Sequence, residues 1–179
     1  MATRQRYRRD DVVAHALDLL ERGGLPDLTM RRLGADLGIQ PSALYHHFAN
    51  KQSLLAAMAD SLLAQVAWPD EAQGACEALR EALLSRRDGA ELVATVWSFG
   101  LGAQAPYDVL VEALRDVGDL APTGARTLLH YVYGHALDEQ TRRQAAEAGA
   151  IETGTREDDF ALGLGIVLAG LQLARAVRG

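Results

Sequence analysis

The sequence predicts an all-α protein, with a small N-terminal three-helix unit containing a helix-turn-helix and a larger helical body. Apolar residues recur at helical spacing through nearly every segment, and no strand-like alternation appears downstream of the first four helices. The corner from Leu28 to Lys51, LTMRRLGADLGIQPSALYHHFANK, reads as a helix, a glycine turn and a second short helix. Charge is also segregated. Residues 1–54 hold eight basic and six acidic side chains, whereas residues 55–179 hold ten and eighteen, giving a net charge of −6. A compact reader of nucleic acid attached to an acidic body would show this imbalance. A length of 179 residues suits one medium domain or a small one fused to a larger. The lone cysteine, Cys76, excludes an internal disulfide framework and points to a reducing compartment. Placed among Ala75, Ala78 and Leu79, it reads as a buried, inert thiol.

The first nine residues, MATRQRYRR, carry four arginines and suit either a solvated terminus or an arm lying along phosphate. Asp10, Asp11 and Asp18 interrupt any apolar region behind them, so a secretory signal is not expected. Asp10 to Arg22 predicts the first helix. Two acids suit its N-terminal dipole, and Val13, Ala16, Leu17 and Leu20 form a buried stripe. Gly23-Gly24 should end it, and Pro26-Asp27 marks a turn.

Thr29 is placed to cap the second helix through its hydroxyl. Met30, Leu33 and Leu37 form one apolar face, while Arg31, Arg32 and Asp36 point elsewhere. Gly38 follows where a helix end needs the left-handed conformation. Pro41 suits the first position of the next helix, since its missing N–H would have been unpaired there. Leu44 and Phe48 should face inward, leaving Ser42, Ala43, Tyr45 and His46 exposed. In a helix-turn-helix this second helix enters the DNA major groove. Arg31 could form paired hydrogen bonds with a guanine edge, and the small tip Gln40-Pro41-Ser42-Ala43 would allow close approach to the groove floor.

Leu28, Thr29, Arg31, Leu33, Leu37, Gly38, Leu44, Tyr45, His47, Phe48, Asn50 and Lys51 fall in register with a pattern known elsewhere. The segment resembles the DNA-binding domain of the TetR family of transcriptional regulators, L-T-x-R-x-L-A-x-x-L-G-V-x-x-x-x-L-Y-x-H-F-x-N-K, with Gly34 replacing the usual alanine. The likeness runs from about residue 9 through Leu63, and more weakly to the C-terminus. It implies that Arg31 reaches bases, that Tyr45 bonds a phosphate and that Lys51 clamps the backbone. The expected DNA-binding set is therefore Thr29, Arg31, Gln40, Pro41, Ser42, Ala43, Tyr45, His46 and Lys51. His46 and His47 are read as surface and packed residues, not as metal ligands.

A fourth helix from Lys51 to Val66 should link reader and body, with Leu54, Leu55, Met58, Leu62 and Val66 at helical spacing. Trp68-Pro69-Asp70 then breaks the chain. The expected division is a DNA-binding domain at 1–51, a connecting helix at 51–66, and a body at 67–179. The resemblance makes that body a ligand-binding and dimerisation domain. Helices are expected at Ala75–Ser85, Ala90–Trp97, Pro106–Val117 and Thr123–Glu147, with Arg86-Arg87-Asp88-Gly89 as a corner. Ala148–Glu157 is rich in Gly and Thr and should be mobile. Asp158 should open a last helix running to Val177.

That last helix, FALGLGIVLAGLQLARAV, is apolar around most of its circumference but short of a full membrane span of about 20 residues. Gly163, Gly165, Ala169, Gly170 and Ala174 would permit close packing, so a subunit interface is expected instead of an anchor. The TetR resemblance implies a homodimer in which Thr123–Glu147 and Asp158–Val177 form a four-helix bundle with their mates.

Ala82 to Ala90 and Tyr131 to Gln140 resemble the tetracycline-repressor subgroup, which binds a magnesium–tetracycline chelate. Aligned on Asp88-Gly89-Ala90, the subgroup's magnesium-binding histidine falls on Val93 and its drug-gripping asparagine on Ala75. The class of pocket carries over; the ligand does not. Val93, Trp97, Phe99, Tyr107, Leu110, Leu114, Tyr131 and Tyr133 could line an apolar cavity or simply be core. The expected effector-binding set is Val93, Trp97, Tyr107, Leu110, Leu114, His130, Tyr131 and Gly134.

An enzyme is not expected. His130 and His135 lie five apart, off a shared helical face, and no HExxH, phosphate loop or serine elbow occurs. No cofactor or resident metal is expected. Taken with these residues, the TetR resemblance implies a cytoplasmic, ligand-responsive transcriptional regulator, a homodimeric repressor by family habit, that binds a palindromic operator and is released by a small apolar or aromatic effector. A DNA-binding regulator without an effector is the alternative.

Overall fold

Two glycines and a threonine set the first corner. The computed structural model of the chain describes residues 7–152 and 159–178. Helix α1 spans Arg9–Asp27 but is broken at Gly24, whose φ of 73° and ψ of 179° lie outside the helical region. The regular helix therefore ends at Gly23-Gly24 as expected, and a further turn follows where a loop was expected. Val12, Val13, Ala16, Leu17, Leu19 and Leu20 form its buried stripe. Helix α2 spans Met30–Asp36, and the Arg32 amide donates to the Thr29 hydroxyl at 3.1 Å. Gly38 takes a φ of +67°, which turns the chain into α3, Pro41–Leu44. Leu33, Leu44 and Phe48 are essentially inaccessible. Burying each of these side chains stabilises the corner by roughly 1.5–3 kcal/mol.

Helix α4 covers Lys51–Leu63, capped by Asn50, whose side chain accepts from the Ser53 amide at 2.8 Å. It stops short of the expected Val66. Gln65 and Val66 instead donate to Leu62 and Leu63, the tighter pattern of a helix end, and the chain has left the helix before Trp68-Pro69.

The body comprises α5 (Ala72–Leu84), α6 (Gly89–Ser98), α7 (Ala105–Ala113), a 3-10 segment (Arg115–Leu120), α8 (Ala121–Glu147) and α9 (Phe160–Arg178). Helix α8 is its axis, with α5, α6, α7 and α9 all packed on it. The single helix expected over 106–117 is divided. Leu114 leaves helical geometry and Gly118 takes a φ of 64°, so the chain turns through the 3-10 segment into α8. Gly149 (φ 69°) ends α8, and the Ala150 amide reaches back to the Ala145 carbonyl at 2.8 Å. Part of the expected mobile connection, with Asp158, lies outside the described residues. No strand occurs among the described residues.

Helix α9 buries Phe160 and Leu164, whereas Leu162, Ile166, Leu173 and Val177 are 65–80% exposed. It is long and apolar enough to cross a membrane by length and composition, yet it packs along α8 and the 3-10 segment. A Cβ at Gly163 would collide with the Tyr131 ring, so this glycine serves packing within the chain. Gly165 and Gly170 would meet nothing within 4 Å.

Candidate DNA-reading surface and effector region

The helix-turn-helix corner carries most of the expected DNA-binding residues at its surface. Thr29, Arg31, Gln40, Ser42, Tyr45 and His46 are exposed, and Pro41, Ala43 and Lys51 are half-buried beside them. Tyr45 is 53% exposed even though its neighbour Leu44 is fully buried, which follows from their places on successive faces of α3 and its exit. The arginines of the corner are not equivalent. Arg22 pairs with Asp36 at 2.9 Å and Arg32 with Asp27 at 3.0 Å. Arg31 makes no ion pair or hydrogen bond among the described residues and keeps its planar donor fork available. Part of the basic arm, residues 1–6, lies outside the described residues. Its end is anchored: the Tyr7 hydroxyl donates to the Leu37 carbonyl at 3.1 Å, and Arg9 lies over the Phe48 ring at 4.8 Å.

The residues expected to meet an effector fall into two groups. Trp97 and Tyr107 are half-buried with ring centroids 5.4 Å apart, and Tyr107 carries Arg126 over its face. Val93, Leu110 and Leu114 are buried in the adjacent core. Tyr131 belongs to a second cluster, stacked on Phe160 at 5.5 Å and donating to the Phe160 carbonyl at 2.8 Å. His130 and Gly134 do not join either. Both are exposed, because the turn of α8 that buries Leu129, Val132 and Tyr133 carries these two to the outer side. Phe99 is also displaced, being 68% exposed on the loop after α6. Tyr133 is buried with no hydrogen-bond partner for its hydroxyl among the described residues, and burial pushes its pKa upward. Cys76 is buried and its thiol is pushed up to about 12, first by desolvation and then by Glu77, so it remains protonated and unreactive.

The family model of bacterial regulatory proteins of the tetR family matches residues 12–58, and that of the tetracyclin repressor-like C-terminal domain matches residues 63–155. The class C tetracycline repressor of Escherichia coli is 33% identical over 189 residues, covering 96% of this chain and 81% of that protein. The chain belongs to the TetR family. It is a transcriptional regulator and not an enzyme. Among solved TetR-family structures, BioQ of Mycobacterium smegmatis is 40% identical, with a TM-score of 0.84 over 93% of this chain and 98% of that one. BioQ with its natural double-stranded DNA operator is 37% identical with a TM-score of 0.77, covering 93% and 98%. The Streptomyces coelicolor protein ActR in complex with (S)-DNPA is 27% identical with a TM-score of 0.79, covering 96% and 100%.

In a TetR-family regulator the joint between reader and body is as informative as either end, and here it was not anticipated from the sequence. Asp88 sits at φ 54° in the corner before α6 and is 7% exposed. One carboxylate oxygen accepts from the Leu25 amide of the reader at 2.7 Å, and the other from Gln144 of α8 at 2.6 Å. Gln140, also on α8, donates to the Arg86 carbonyl at 2.7 Å and accepts from the Ala90 amide at 3.2 Å. Glu21 of α1 accepts from the Arg87 amide at 3.0 Å. On the other flank, Asp60 of α4 accepts from the Ala103 amide at 2.8 Å, where Ala103 holds a φ of 58°. The sequence carried only an indirect signal, an Asp-Gly pair at a helix start.

Proposed function

We propose that this chain is a homodimeric repressor that binds a palindromic operator and is released by a small, mainly apolar or aromatic effector. The observation that carries the DNA-reading part is Arg31, exposed and without an ion pair among the described residues, in the same corner as the exposed Gln40 and Ser42, while Arg22 and Arg32 are held by aspartates. Thr29, Pro41, Ser42, Tyr45, His46 and Lys51 complete the interface in this reading. Residues 1–51 form the reader, α4 with its trailing turn connects, and residues 67–179 bind the effector and dimerise. The protein works in the cytoplasm. Two copies pack through α8 and α9, setting two readers in major grooves, about 34–36 Å apart for adjacent half-sites. What supports dimerisation over membrane anchoring is that α9 already lies along its own chain's helices with an apolar face left over.

Effector binding acts through the joint. A ligand near Trp97 and Tyr107 that favours a different setting of α6 would disturb the hydrogen bonds that Asp88 and Asp60 accept, and with them the angle of the reader. The size of the response equals the ligand's differential affinity for the two settings. The deciding experiment is fluorescence polarisation on an operator found by genomic footprinting. Arg31→Ala should weaken binding by about 1–3 kcal/mol and relax base preference at one position, while the helical signal stays intact. Unchanged affinity and preference would remove Arg31 from the interface.

A further inference from the structure

A groove of about 390 Å³ lies where the reader meets the body. Its apolar wall comes from Leu17 of α1, Leu62 of α4, Val66 in the segment after it, and Ala78 and Ala82 of α5. The two alanines stand on the flank of α5, beside its fully buried stripe of Ala75, Cys76, Leu79 and Leu83. None of the residues expected to meet an effector lines this space. Its volume falls at the small end of the range for small-molecule sites, about 300–1,000 Å³.

Arg86 supplies the chemistry at the rim. Its carbonyl is committed to Gln140, and the residue is half-buried, but its guanidinium makes no hydrogen bond or ion pair among the described residues. A guanidinium that no carboxylate pairs keeps its donors available, and its planar fork matches a carboxylate. Gln65 and Ser85 also line the groove, yet each is already donating, to the carbonyls of Ser61 and Ala82. Glu81 lines the same groove and is exposed, so a second negative charge on the ligand would be repelled.

We propose that this junction groove is a second small-molecule site, taking a compact amphipathic monocarboxylate whose chain or ring lies on Leu17, Leu62 and Ala82 and whose carboxylate pairs with Arg86. Such a ligand touches α1, α4 and α5 at once, so its binding is linked to the angle between reader and body. That regulatory consequence rests on the ligand-responsive reading above, whereas the binding does not.

Calorimetry of octanoate, 1-octanol and suberate with the full chain tests it. Octanoate should bind saturably, with suberate and octanol weaker. Arg86→Met should weaken octanoate by about tenfold or more and leave octanol unchanged, since only the charge-assisted hydrogen bonds are lost. Ala82→Leu should weaken both by filling the groove. Arg86→Met alone suffices if Ala82→Leu does not fold, because the Arg86 head touches no partner whose loss would unfold the protein. No saturable binding, or binding indifferent to Arg86→Met, overturns the site. Octanoate affinity lost through Trp97→Phe instead would place the ligand in the body and overturn it too. Operator polarisation without octanoate separates the readings: failure of the wild-type chain to bind DNA would sink the proposed function and leave the calorimetric result standing.

Discussion

Asp88 shows what a single residue decides in this molecule. A carboxylate that is 7% exposed is costly to bury unless both oxygens are satisfied, and here a reader amide and an α8 amide satisfy them. A Cβ at Gly24 would lie 2.5 Å from one of those oxygens, so Gly24 is required both for its φ of +73° and for the approach of Asp88. Asp88→Asn keeps a residue that tolerates the left-handed backbone but removes the charge and one acceptor. It should destabilise the chain by about 1–3 kcal/mol. Amide exchange at Leu25 should accelerate while amides of α8 around Leu128 and Val132 stay protected. Unchanged exchange at Leu25 would mean that the contact does not hold the reader.

At the scale of elements, α9 divides its labour between two faces. Phe160, Leu164 and Gly163 face the chain's own α8, and a side chain at Gly163 would have to displace Tyr131. A Cβ at Gly165 or Gly170 would meet nothing within 4 Å in the single chain, so added volume there does not start from a clash within the fold. Gly165→Leu and Gly170→Leu therefore separate assembly from folding. Each should shift the sedimenting species from dimer toward monomer with helicity retained, because added volume holds tightly packed helices apart. An intact dimer in both variants would move the interface away from this face. The sequence treated Gly163, Gly165 and Gly170 alike as small residues of one apolar helix. Only the position of Tyr131, 32 positions earlier in the chain, distinguishes the first from the others.

For the whole molecule, the ligand question turns on positions that the resemblance to the tetracycline-repressor subgroup singles out. Val93 and Ala75 stand where that subgroup has its metal-binding histidine and its drug-gripping asparagine, and both are buried apolar side chains with no donor to offer. Magnesium–tetracycline should therefore not release this protein from its operator. Release by micromolar drug that depends on magnesium would contradict this. A mainly apolar effector should instead alter the fluorescence of Trp97, and Trp97→Phe should remove most of that change while Trp68→Phe leaves it. An effector response unaffected by Trp97→Phe would place the ligand elsewhere.

What the sequence determined by itself was local. The Thr29 cap, the left-handed Gly38, the helix start at Pro41 and the inward Leu44 and Phe48 each depend on backbone preferences and spacing within a few residues, and all are found in place. The same local reasoning missed the break at Gly118, although glycine is the residue that a φ of 64° favours. The tertiary structure alone decided the joint. Asp88 meets Leu25 across 63 positions and Gln144 across 56, and Asp60 meets Ala103 across 43. It also turned His130 and Gly134 outward and placed Arg86 over a groove shared by three helices. Periodicity states that a helix has a buried face; which partner covers that face is fixed only when the helices pack, because that choice depends on shape and charge far away in the chain.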